Sequence, residues 1–74
     1  MNAPAAATRL LRVEEVARRT ALSRDSIYRL AREGRFPKPI KVSKWASRWI
    51  ESEIENFLAA RVAERDAGVG HGRP

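Results

Sequence analysis

The sequence predicts one mainly α-helical domain of three helices carrying a small β-hairpin, and three observations lead there. Two short segments repeat an apolar i, i+3, i+4 pattern on either side of a brief break. A proline-interrupted alternating stretch follows the second of them. A longer apolar stripe of helical period then closes the ordered part of the chain.

The first helix is expected over about Val13 to Thr20, where Val13, Val16 and Ala17 share one face. Glu14 and Glu15 stand in its first turn and Arg18 and Arg19 in its last, the order that the helix dipole favours. The spacing also predicts the i, i+4 pairs Glu14–Arg18 and Glu15–Arg19. After the break at Thr20-Ala21-Leu22, Ser23 is expected to cap a second helix from Arg24 to Glu33. Gly34 should end it as a left-handed residue. Ile27, Leu30 and Ala31 form its inner face; Asp25, Arg29 and Arg32 point the opposite way, with Tyr28 on the shoulder. Asp25 is expected to orient Arg29, four residues on.

Pro37 and Pro39 exclude a helix or a central strand next. Ile40 in, Lys41 out and Val42 in predict a short edge strand, Ser43-Lys44 a turn, and Trp45 to Ile50 the returning strand. A last helix begins near Glu51, with Ile54, Phe57, Leu58 and Val62 on one face, and should fade near Asp66. Glu51, Glu53 and Glu55 crowd its first turns, where carboxylates are favoured. Trp49 is expected in the core; Trp45 is open between core, exposed tip and oligomer contact. Residues 1–8 and 67–74 are expected to be flexible tails around a domain at 9–66.

Composition narrows the function. The 74 residues carry 15 Lys and Arg against 9 Asp and Glu, a net +6. Residues 9–48 hold twelve positive side chains against four negative, whereas residues 49–74 hold three against five. A basic front and a mildly acidic back suit a partner that is a polyanion. A chain this short has one small core and little room for a substrate pocket, which argues against an enzyme. With no cysteine there is no disulfide framework, thiolate zinc site or cysteine nucleophile. His71 stands alone in a glycine-rich stretch, and no metal or cofactor is expected. No apolar run reaches the roughly 18–20 residues of a membrane span, and Met1 to Ala7 lacks the charge and length of a secretory signal. A cytoplasmic, nucleoid-associated bacterial protein with no membrane partner is the expectation.

Two short helices across a tight break, the second basic outside, followed by a hairpin, make a winged helix-turn-helix. The second helix would enter the major groove, where arginine can bond guanine bidentately. Arg24, Arg29 and Arg32 are its candidate contacts, with Ser23, Ser26 and Tyr28 beside them. Arg12, Arg18 and Arg19 would grip flanking phosphates, and Lys38, Lys41 and Lys44 would extend the contact along the wing.

The run Leu10-Leu11-Arg12-Val13-Glu14-Glu15-Val16, then Leu22-Ser23-Arg24-Asp25-Ser26-Ile27-Tyr28-Arg29, then Glu33-Gly34-Arg35-Phe36-Pro37-Lys38-Pro39-Ile40-Lys41 resembles the AlpA family of prophage regulators. Trp49-Ile50-Glu51-Ser52-Glu53-Ile54 continues the likeness, which spans about residues 9 to 62. The resemblance implies a winged helix-turn-helix related to MerR-type and excisionase DNA-binding domains. It implies a recognition helix at Ser23, Arg24, Ser26, Tyr28 and Arg29, and a wing at Lys38 and Lys41. The chain departs from the family at the wing tip, where Ser43, Trp45 and Arg48 replace the usual glycine-arginine-glycine. The expected function is sequence-specific binding of double-stranded DNA in the transcriptional regulation of a prophage or integrative element. An excisionase, or recombination directionality factor, that lines up copies on repeated sites beside an integrase is the alternative. From another class, an antitoxin or anti-repressor would use the same fold on a protein.

Overall fold

A computed structural model describes residues 9–68. In chain order the elements are β1 (Leu10–Leu11), α1 (Val13–Thr20), α2 (Arg24–Arg32), β2 (Ile40–Ser43), β3 (Ala46–Ile50) and α3 (Glu51–Gly68). The three helices and the hairpin appear as expected, and the fold is a winged helix-turn-helix. Residues 1–8 and 69–74 of the expected tails lie outside the described residues. Ala67 and Gly68, expected to follow the helix, are its last two residues.

Local chemistry sets the helix boundaries. The Arg12 backbone N–H, just before α1, donates to Glu15 Oε1 at 2.9 Å, satisfying a donor that the helix start leaves free. The Ser26 N–H donates to Ser23 Oγ at 3.1 Å, the cap expected for α2. At the end of α2, Gly34 takes φ 76°. Its N–H bonds the Ala31 carbonyl at 3.1 Å while the Arg35 N–H reaches the Leu30 carbonyl at 2.9 Å. These paired bonds close the last turn and require the left-handed residue between them. The α1–α2 corner does the same without glycine: Ala21 stands at φ 61° and its N–H bonds Ala17 O at 2.8 Å.

Strand β1 was not foreseen, and two residues are too few to show a period. It completes a three-stranded antiparallel sheet of order β1-β3-β2. Leu10 pairs with Ile50 and Leu11 with Trp49. The hairpin turns one residue later than predicted, at Lys44-Trp45 with Ser43 opposite Ala46. Ile40 faces Arg48 and Lys41 faces Ser47, so the register slips by one residue at Val42. Among the described residues only Ala21 and Gly34 have positive φ, which excludes the primed turns that match strand twist. A bulge beside the tip absorbs the mismatch.

The core is Leu11, Val16, Ile27, Ala31, Phe36, Trp49 and Ile54, with Val13, Ala17, Leu22, Leu30, Phe57 and Leu58 packed around it. Phe36 and Phe57 meet edge-on at 4.7 Å between centroids. Trp49 is fully buried, as expected, and Trp45 is exposed. The prediction that Ile40 and Val42 turn inward fails, since both are exposed. The helices pack chiefly on β1 and β3, so among the described residues β2 is an exposed edge. The first turns of α3 join the core through Ile54, while residues 59–67 are exposed.

Candidate nucleic-acid interface

Burying Ile27 and Ala31 turns the other side of α2 to solvent, because residues three and four apart share a helix face. That outer surface presents Arg24, Asp25, Tyr28, Arg29 and Arg32, all exposed. Ser23 and Ser26 sit at its N-terminal edge, where the Ser23 hydroxyl also donates to Ser26 Oγ at 3.0 Å. Both serines are therefore engaged in the cap. A cleft lined by Tyr28, Ala31, Arg32, Lys38 and Pro39 joins this surface to the foot of the wing. From there Lys41 and Lys44 continue along the exposed hairpin.

Carboxylates hold some of these cations. Arg24 pairs with Glu14 at 3.1 Å across the α1–α2 corner. Arg29 pairs with Glu33 at 3.8 Å, and Arg35 shares the same carboxylate at 3.3 Å. The expected Asp25–Arg29 pair does not form. Both carboxylates are four residues from Arg29, and the shorter aspartate has less reach than Glu33. The expected Glu14–Arg18 and Glu15–Arg19 pairs are absent too. Glu14 turns to Arg24, and Glu15 is taken by the Arg12 amide. Arg19 reaches Glu51 at 2.8 Å and Glu55 at 3.7 Å, tying the end of α1 to the start of α3.

Among the described residues, Arg12, Arg18, Arg32, Lys38, Lys41 and Lys44 make no ion pair. Of the twelve candidate positions, the structure thus gathers Arg24, Tyr28, Arg29, Arg32 and Lys38 on one continuous surface. Lys41 and Lys44 carry it onto the wing. Arg19 is committed to an internal pairing instead. Glu14 and Glu33, which pair with Arg24 and Arg29, were missed. Glu33 was findable at i+4 from Arg29, whereas the Glu14 contact crosses a corner and leaves no trace in spacing.

Every cation here is an exposed donor, and exposed ion pairs are weak, about 0–1 kcal/mol. A polyanion can therefore exchange with Glu14 and Glu33 at small cost. Tyr28 is held by its ring, 5.6 Å from that of Trp49 and tilted by 54°, and it lines the cleft beside Arg32 and Lys38. No described helix is long and apolar enough to cross a membrane.

The family model described as prophage CP4-57 regulatory protein (AlpA) matches residues 9–62, from β1 into α3. A relative from Enterobacteria phage P4, "Uncharacterized protein ORF88", is 40% identical over 60 residues, covering 81% of this chain and 68% of the relative. No solved structure matches. The matched residues include both helices of the helix-turn-helix, the wing and the buried Trp49, and the chain belongs to the AlpA family of prophage regulatory proteins.

Proposed function

We propose that the protein binds double-stranded DNA at specific sites and regulates transcription of a prophage or integrative element. The observation that carries this reading is the outer face of α2. Arg24, Arg29 and Arg32 project from it, and the face runs into Lys38 without a break. A helix with side chains is about 10–12 Å across and the major groove about 12 Å wide. Nine residues span roughly 13 Å, so α2 lies in the groove over its whole length. Arg29 and Arg32 then address base edges, Arg24 and Tyr28 the near phosphates, and Arg12 and Arg18 the flanks. The acidic start of α3, which engages Arg19, faces a part of the body that phosphate would avoid. Binding and position do the work; the reading needs no metal, cofactor or catalytic step.

One such module covers about 600–1,000 Å² of interface, too little for high specificity. Several copies on repeated or inverted half-sites are the consequence. Footprinting across the neighbouring genome at two salt concentrations tests the role. Protection of one or two sites over a promoter supports the regulator. A phased ladder beside an attachment sequence assigns the chain to the excisionases, with an integrase as partner. Binding to a protein that barely changes with salt favours the antitoxin or anti-repressor, because phosphate contacts weaken steeply as salt rises.

Arg29→Ala tests the placement of α2. The side chain is about half exposed and holds only a 3.8 Å pair, so the fold should survive. Specific affinity should drop by roughly 5- to 150-fold, the value of one bidentate base contact. Unchanged affinity in a gel-shift titration would remove α2 from the groove.

A further inference from the structure

The wing tip carries a feature that a phosphate-binding hairpin does not need. Trp45 is 86% exposed, more than any other large apolar side chain described. It stands at the point of a two-residue turn, where its N–H donates to Ser43 Oγ at 3.3 Å. The Lys44 ammonium lies 5.3 Å from the centre of its ring. Lys41 Nζ reaches back to the Lys44 carbonyl at 3.5 Å. Residues 38–50 contain Lys38, Lys41, Lys44 and Arg48 and no carboxylate at all. The ring is thus an apolar point inside a purely cationic collar.

We propose that Trp45 is an apolar wedge for DNA, entering the minor groove beside the site occupied by α2. There it packs on deoxyribose and base edges while Lys41 and Lys44 hold the phosphates of the rims. This rests on the DNA-binding reading and extends it to a residue that the charge pattern does not mark. Two observations select nucleic acid as the occupant. The collar has one sign of charge and so complements a polyanion. It is also continuous with α2 through the Arg32–Lys38 cleft, which places the tip on the flank of the same duplex. The hairpin itself stays on the rims of a minor groove about 6 Å wide, and only the exposed Trp45 side chain at its tip enters. An inserted apolar side chain partly unstacks a base step and bends the duplex. Flexible pyrimidine–purine steps should therefore be preferred at the flank.

The test uses the full chain and a duplex defined by footprinting. Trp49 is fully buried, so quenching by iodide reports Trp45 nearly alone. Bound DNA should shield Trp45 from iodide. Trp45→Ala should weaken binding about tenfold, within the range of one aromatic–base contact. It should also reduce the bend seen in circularly permuted fragments, and leave the salt slope unchanged because no charge is lost. Trp45→Phe should keep most of the affinity. Equal affinity and bend for Trp45→Ala, with Arg29→Ala still impaired, overturns the wedge and leaves the role of α2 standing. If neither variant affects binding, the placement of α2 in the groove fails and the wedge with it; if no duplex is protected at low salt, the DNA-binding reading itself fails. A Trp45-dependent dimer in sedimentation without DNA would overturn the wedge by making a second copy the occupant.

Discussion

Trp45 and Trp49 stand four residues apart on one hairpin and occupy opposite environments. Trp49 is fully buried, paired across the sheet with Leu11 and set at a tilt against the Tyr28 ring. Its indole N–H donates to the Pro37 carbonyl at 2.8 Å, so the polar end of a core side chain fastens the α2–β2 connection. Trp45 touches Lys44 and little else. The same residue type holds the body together at one end of β3 and is offered to solvent at the other. The difference lies in what covers each strand. Helices lie over β1 and the base of β3, whereas β2 and the tip are exposed among the described residues. Stability is concentrated in the body, and the wing is left free for contact.

The sharpest way to break this comparison is to truncate each tryptophan. Trp49→Ala removes the largest core side chain and should cost about 3–5 kcal/mol. That is comparable to the whole stability of a domain this size, roughly 0.05–0.15 kcal/mol per residue. The variant should be largely unfolded at 25 °C by circular dichroism. Trp45→Ala should stay within about 0.5 kcal/mol of the parent in urea titration, as exposed positions usually do. Similar losses from both would mean that the wing is part of the cooperative core.

The turns give a second contrast, and a smaller effect. Neither the wing tip nor the α1–α2 corner has a glycine, yet they solve the problem differently. The tip keeps negative φ and slips the register at Val42. The corner puts Ala21 into the left-handed region at φ 61°, which costs an L-residue roughly 1–2 kcal/mol. Ala21→Gly relieves that cost and loses about 0.4–1 kcal/mol to the greater freedom of the unfolded chain. The net gain should be about 0.5 kcal/mol, seen as a rise of a few degrees in Tm. Ala21 is exposed, so no packing is lost with its methyl group. A fall in Tm would show that the methyl group makes a contact worth more than the strain.

Much of this could be read from sequence where a local rule suffices. The bounds of α1, the Ser23 cap and the left-handed Gly34 all follow from interactions within one turn. So does the side of α2 that faces out, since the positions of Ile27 and Ala31 fix it. Strand β1 did not follow, because Leu10 and Leu11 become a strand only by pairing with Ile50 and Trp49. The alternation of Ile40 and Val42 misled for a related reason. It shows which residues share a face but not whether a layer covers that face. Ion pairs were the least legible part: Glu14 meets Arg24 across a corner and Arg19 meets α3, and both contacts depend on tertiary placement.

Acid separates the two regions most gently. The wing, residues 38–50, has no carboxylate for acid to neutralise. The body has a carboxylate with a structural task. Glu15 accepts the Arg12 N–H at 2.9 Å, and that bond is the first cause holding its pKa below the ordinary glutamate value. Arg18, Arg9 and Arg19 add to the effect, with desolvation opposing. A lowered folded pKa means that the charged form is favoured in the native state. Its contribution is therefore present above the unfolded value of about 4.3, and is lost as pH falls through the folded value. Glu15→Gln should flatten the acid limb of Tm against pH and leave the neutral region with a smaller loss from the weaker cap. Iodide quenching of Trp45 should meanwhile hold constant until the body itself unfolds. An acid limb of unchanged slope in Glu15→Gln would show that the bond from the Arg12 N–H is not what acid breaks.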